Sequence, residues 1–131
     1  MLKYFLLLPL VLTAGCASVS NLSNYVDRNV TKGDAQLIAN DFVRTLKNSL
    51  PPATTTLIVK RKSTEDNFTP LFINLLQRNG YDVISTSQPQ KQQNTAVNVT
   101  YRITPMDKGI MSVFAYDLAG ATHYYIRTYK R

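Results

Sequence analysis

The chain has 131 residues, 44% hydrophobic and 18% charged, with a net charge of +7, one Cys and one His. That length holds one small domain and excludes a two-domain enzyme. A lone Cys excludes an internal disulfide, and one Cys with one His leaves no basis for a zinc cluster, so no metal site is expected.

In chain order, residues 1–15 read as a processing signal. Met1-Leu2-Lys3 is a short basic start, Tyr4 to Leu12 an apolar core too short to span a bilayer, and Thr13-Ala14-Gly15 a run of small residues before Cys16. The order Leu12-Thr13-Ala14-Gly15-Cys16 resembles the lipobox of bacterial lipoproteins, with Leu12 one position further out than is usual there. The resemblance implies diacylation of the Cys16 thiol, cleavage after Gly15 and acylation of the new amine. Two or more acyl chains hold a protein stably where one does not. Ala17, in place of an Asp, implies sorting to the outer membrane, with the chain facing the periplasm.

Residues 16–30 read as a lipidated tether that carries Val19, Leu22, Tyr25 and Val26 with no Gly or Pro from Ala17 to Val30. An extended segment of this kind can lie along another subunit's sheet. The competing reading is collapse onto its own domain or the membrane surface. Residues 31–131 form the expected domain. Ala35, Ile38, Ala39, Phe42, Val43, Leu46 and Leu50 recur at helical spacing, capped by Thr31 with Asp34 and stopped by Pro51-Pro52. Thr54 to Lys60 is β-branched and apolar, hence a strand. Phe68, Leu71, Phe72, Leu75 and Leu76 predict a second helix, capped by Asp66 or Thr69 and ended by Gly80.

Tyr81 to Ser85 reads as a short strand, and Ser85 to Asn94, without a large apolar side chain, as a surface loop. Ala96 to Ile103 alternates, with Val97, Val99, Tyr101 and Ile103 on one face. Turns at Pro105–Gly109 and at Leu118-Ala119-Gly120 then separate strands Ile110–Tyr116 and Thr122–Tyr129. The order α-β-α-β-β-β-β predicts an α+β domain. Its sheet is mixed, with a parallel crossover and an antiparallel meander, and both helices lie on one face.

Catalytic chemistry finds no footing in the residues. His123 lies between Thr122 and Tyr124 without a nucleophile motif, and Glu65, the one Glu, sits beside Asp66 at a helix start where a carboxylate favours the dipole. No enzyme activity, catalytic residue or cofactor is expected beyond the covalent lipid on Cys16. Lys60, Arg61, Lys62, Arg127, Lys130 and Arg131 form two basic groups, the second near Tyr124, Tyr125 and Tyr129. They read as a solvated basic face. Stacked bases of a single strand, or anionic headgroups, are the alternatives, and nucleic acid is not the expected partner.

Taken together, several features resemble the TrbH family of conjugal transfer lipoproteins. These are the lipobox, the tether, a helix ending in Leu50-Pro51-Pro52-Ala53, the Thr-rich strand, and the spacing Phe68, Leu71, Leu75, Asn79-Gly80-Tyr81, Val83. The resemblance implies a structural component of a type IV secretion (mating-pair formation) apparatus. Its partners would be channel subunits and the membrane, and a homo-oligomer is left open. The alternative is an envelope lipoprotein that binds or ferries lipopolysaccharide or peptidoglycan, which a large apolar groove would favour.

Overall fold

The computed structural model describes residues 24–61, 66–86 and 96–130. The first helix, α1 (Lys32–Ser49), opens on the expected capping box: Thr31 Oγ1 accepts from the Asp34 amide at 3.1 Å, and the Asp34 carboxylate accepts from the Thr31 amide at 3.1 Å. Its predicted stripe is buried throughout, Leu50 included. Pro51-Pro52 stops the helix, and the chain then makes a 3-10 turn over Pro52–Thr54. Strand β2 (Thr56–Lys60) therefore begins two residues later than the composition suggests. The Thr55 hydroxyl donates to the Pro51 carbonyl at 2.7 Å, holding Thr55 in the turn.

Helix α2 (Thr69–Arg78) is capped by Asp66. One carboxylate oxygen accepts from the Phe68 and Thr69 amides at 2.8 and 2.6 Å, and the other from the Thr69 hydroxyl at 2.9 Å. At its other end Gly80 takes φ +97, a left-handed conformation that lets the Tyr81 amide return to the Leu76 carbonyl. Strand β3 (Asp82–Thr86) follows, and then β4 (Ala96–Met106), β5 (Gly109–Leu118) and β6 (Ala121–Lys130).

The path through the sheet is β3-β2-β4-β5-β6. β2 lies parallel to β3 and β4, and β4, β5 and β6 form an antiparallel meander, so the sheet is mixed as expected. Leu57, Val59, Val97, Val99, Tyr101, Ile103, Ile110, Phe114 and Tyr116 join the buried residues of both helices in one core. Phe42 sits at its centre, 4.2 Å from Phe114 and 5.5 and 5.8 Å from Phe68 and Phe72 between ring centroids. Tyr101 carries the one hydroxyl of this aromatic group, and it meets Thr69 Oγ1 at 2.6 Å.

The domain starts earlier than residue 31. Tyr25–Val26 form a two-residue strand, β1, parallel to Arg102–Ile103 of β4. β2 covers the same edge of β4 only over Ala96–Val99. Asn24 bridges the two: its amide nitrogen donates to the Lys60 carbonyl and its amide oxygen accepts from the Tyr101 amide, both at 2.9 Å. One side-chain amide thus continues the ladder between the end of β2 and the start of β1. Val30 is buried at 1% exposure, and Asn67 donates to its carbonyl. The second half of the predicted tether is therefore part of the fold.

The turns differ in detail. β4 continues through Pro105 to Met106, and the turn narrows to Asp107-Lys108. Pro105 is tolerated because odd positions of β4 point their main chain away from β5, as the Asp27 amide bonding the Ile103 carbonyl shows. The β5–β6 turn is Ala119-Gly120, both left-handed at φ 54 and 80, which matches the twist of a two-residue hairpin.

Candidate functional site

Cys16, Val19, Leu22, Lys62, Glu65 and Arg131 lie outside the described residues, as does most of the predicted Ser85–Asn94 loop. Tyr25 and Val26, candidates for docking on another subunit, are instead paired on β4 of their own domain. The Tyr25 hydroxyl donates to Asp27 at 3.1 Å, and the Arg102 guanidinium lies 4.9 Å from the Tyr25 ring centroid. Hydrogen bonding to Asp27 holds the Tyr25 proton above its ordinary range, and the Asn29 amide holds the Asp27 carboxyl below its own. Of the two readings of this segment, collapse onto its own domain describes these two residues.

The described basic residues do not form one face. Lys60 ends β2 and Arg61 follows it, whereas Arg127 and Lys130 lie on β6, with β4 and β5 between them. Sequence proximity could group residues within a strand, but it could not show that two strands intervene. The tyrosines divide as well. Tyr125 and Tyr129 are half-buried against the core, and Tyr124, 49% exposed, points to the opposite face.

Arg127 reaches a partner that sequence reading did not single out. Asp41 of α1 accepts from Arg127 Nη1 at 2.9 and 3.0 Å, from the Tyr129 hydroxyl at 2.6 Å and from Arg44 Nη1 at 3.1 Å. Burial, and then the bond to this carboxylate, push the Tyr129 hydroxyl up to about 12. Arg44 is mostly exposed, so the latch from α1 to β6 rests on Arg127 and Tyr129. The available signal was a carboxylate three residues after Ile38, on the flank of a buried stripe, where a charge needs a partner. Its partners lie 86 and 88 residues away, beyond any local pattern.

Beside this latch lies an open groove lined by Leu37, Asn40, Asp41, Arg44, Lys47 and Asn79, among others. Its walls are mostly amides and charges, not the apolar surface that a carrier of acyl chains needs. His123 is exposed and stacks on Tyr116, with centroids 5.0 Å apart and planes 17° apart. Among the described residues no three His, Cys, Asp or Glu side chains are grouped as metal ligands.

The face of the sheet turned away from the helices is exposed along β6, whereas Ile58 of β2 and Ala115 of β5 on that face are buried. On β6 it presents Thr122, Tyr124, Ile126, Thr128 and Lys130, beside Met111, Val113 and Ala115 of β5. Ile126 is 67% exposed. A two-residue hairpin closes on a hydrogen-bonded pair, here Leu118 with Ala121, so odd residues of β6 bond to β5. Main-chain groups of Thr122, Tyr124, Ile126, Thr128 and Lys130 consequently point outward along the last edge of the sheet.

A family described as conjugal transfer protein TrbH matches residues 17–131. Neither the curated proteins nor the solved structures gave a match. Among the described residues no helix is long and apolar enough to cross a membrane.

Proposed function

The chain belongs to the TrbH family of conjugal transfer proteins, and on that premise we propose that it is an outer-membrane lipoprotein and a structural component of a type IV secretion apparatus. Its role in conjugal transfer follows from the family. The anchor is the lipid on Cys16, supported by the order Leu12-Thr13-Ala14-Gly15-Cys16. The domain faces the periplasm and docks on a channel subunit.

The observation that carries the docking is strand β6, ten residues long at the end of the sheet, with exposed Tyr124 and Ile126 beside its outward main chain. A strand is the partner that completes such an edge. Main-chain hydrogen bonds supply affinity and alternate side chains supply selectivity. The occupant is an extended segment of a channel subunit.

Ile126→Pro tests this, because it removes an outward amide and leaves the bonds to β5 in place. The variant is expected to stay folded and lipidated, but to lose the co-purifying channel subunit and DNA transfer. Ile126→Thr, which keeps the amide, is expected to retain both in part. A folded Ile126→Pro protein with normal transfer excludes the edge as the docking site. Loss of self-association alone would identify a second copy of the chain as the occupant. An unmodified Cys16 in the cleaved protein defeats the lipid anchor independently.

A further inference from the structure

The point where the chain enters the fold is ringed by cations. Asn24 lies between the end of β2 and the start of β1, tied to the Lys60 carbonyl. Lys60 and Arg61 flank it on one side, Arg102 stands across on β4 against the Tyr25 ring, and exposed Arg28 follows β1 in the next turn. Arg61 and Arg102 are exposed, and Lys60 is half-buried. Among the described residues two carboxylates lie with these cations, and both are engaged. Asp27 holds the Tyr25 hydroxyl and the Asn29 amide, and Asp66 caps α2. In the sequence these four cations fall into three separate segments, and only the fold assembles them.

From this arrangement we infer that Arg28, Lys60, Arg61 and Arg102 form a collar that seats the domain on anionic phospholipid headgroups beside its own lipid anchor. The inference rests on the anchoring at Cys16 proposed above. Asn24 lies eight positions after Cys16, so whatever its conformation the link reaches no more than about 26–29 Å. Screening lengths are about 8 Å at physiological salt. The anchor therefore keeps the collar within a few screening lengths of the headgroups, at a high effective concentration. Each Lys or Arg near an anionic surface strengthens attraction about fivefold. The collar thus sets which end of the domain meets the bilayer, and β6, three strands away from β2 along the sheet, is left free for a protein partner.

The chain contains no Trp, so a single introduced Trp reports its own distance from the bilayer. Tyr25→Trp places it in the collar, and Gln77→Trp near the end of α2, at the other end of β2. Each full-length lipidated variant is reconstituted in vesicles that contain dansyl-phosphatidylethanolamine, with phosphatidylcholine alone or with added phosphatidylglycerol. Energy transfer from Tyr25→Trp is expected to exceed that from Gln77→Trp in phosphatidylglycerol vesicles. The excess is expected to shrink in phosphatidylcholine and at high salt. Adding Arg61→Gln and Arg102→Gln together should lower the ratio of seated to unseated domains about 30-fold, whereas Arg78→Gln, at the end of α2, should leave it unchanged.

Equal transfer from both positions, or an excess indifferent to lipid charge and salt, overturns the collar without recourse to the Arg variants. Displacement of the collar from phosphatidylglycerol vesicles by a single-stranded oligonucleotide at equal charge concentration marks nucleic acid as the occupant and also overturns it. Intact mass separates the two levels of the inference. A lipidated Cys16 with no charge-dependent seating defeats the collar alone. An unmodified Cys16 with charge-dependent binding intact defeats the anchor, and the collar then stands as a peripheral lipid site.

Discussion

Asp41 shows how one side chain can join two distant parts of a chain. Its carboxylate is 11% exposed and carries the contacts of Arg127 and Tyr129 from the edge strand. Asp41→Ala would leave a guanidinium and a phenol facing a half-buried gap, and is expected to cost about 2–4 kcal/mol, read from urea unfolding. A double-mutant cycle with Tyr129→Phe should show coupling well above that with Arg44→Ala, because Arg44 is 70% exposed. Tyrosine burial gives the stability its pH dependence. Desolvation pushes both Tyr81 and Tyr129 up to about 12, from an ordinary value of 10.0. The folded state therefore holds protons that the unfolded chain releases above pH 10. The stability they contribute is complete below pH 10 and is lost as pH rises through about 12. Unfolding at a series of alkaline pH values should show this decline, and Tyr129→Phe should make it shallower. A stability that stays flat from neutral pH to 12 would contradict the burial of both rings.

The elements differ in how plainly they can be read from the chain. At the β5–β6 turn Ala119 holds φ 54, a left-handed conformation that disfavours a Cβ. Ala119→Gly is expected to stabilise the protein by about 1 kcal/mol, and Ala119→Asn by somewhat less, seen as a higher melting temperature. No change from either would mean that the turn relaxes out of this geometry. The turn itself was legible, because Leu118-Ala119-Gly120 interrupts two runs rich in aromatic and β-branched residues. Both helices were legible for a related reason: a stripe such as Ile38, Phe42 and Leu46 records one-sided burial directly. β1 was not, since two residues have no periodicity and Tyr25–Val26 becomes a strand only because β2 leaves part of β4 unpaired. The basic residues were visible as residue types but not as a site. Their grouping depends on strand order, and a count of charges carries no strand order.

At the scale of the molecule, the seven residues 24–30 complete a fold whose main elements lie downstream. They supply β1, the Asn24 bridge and the buried Val30. Burying a valine contributes about 1.5–3 kcal/mol. Each hydrogen bond of Asn24 contributes about 1 kcal/mol, and a buried Tyr101 amide left without its acceptor costs about 1–3 kcal/mol. A chain that starts at residue 31 should therefore lose on the order of 3–5 kcal/mol relative to one that starts at residue 24. Against a total stability of roughly 5–15 kcal/mol, that loss leaves the shorter chain marginal. Urea unfolding of residues 24–131 and 31–131 is expected to give one cooperative transition for the first, and a much lower midpoint or none for the second. Asn24→Ala in the longer chain should fall between them. The comparison also bears on the proposed anchor, because a bridge at Asn24 makes that residue the rigid point from which the segment toward Cys16 starts. Equal midpoints for the two chains would show that 24–30 only rests on the sheet, and the link between anchor and domain would then lengthen by those seven residues.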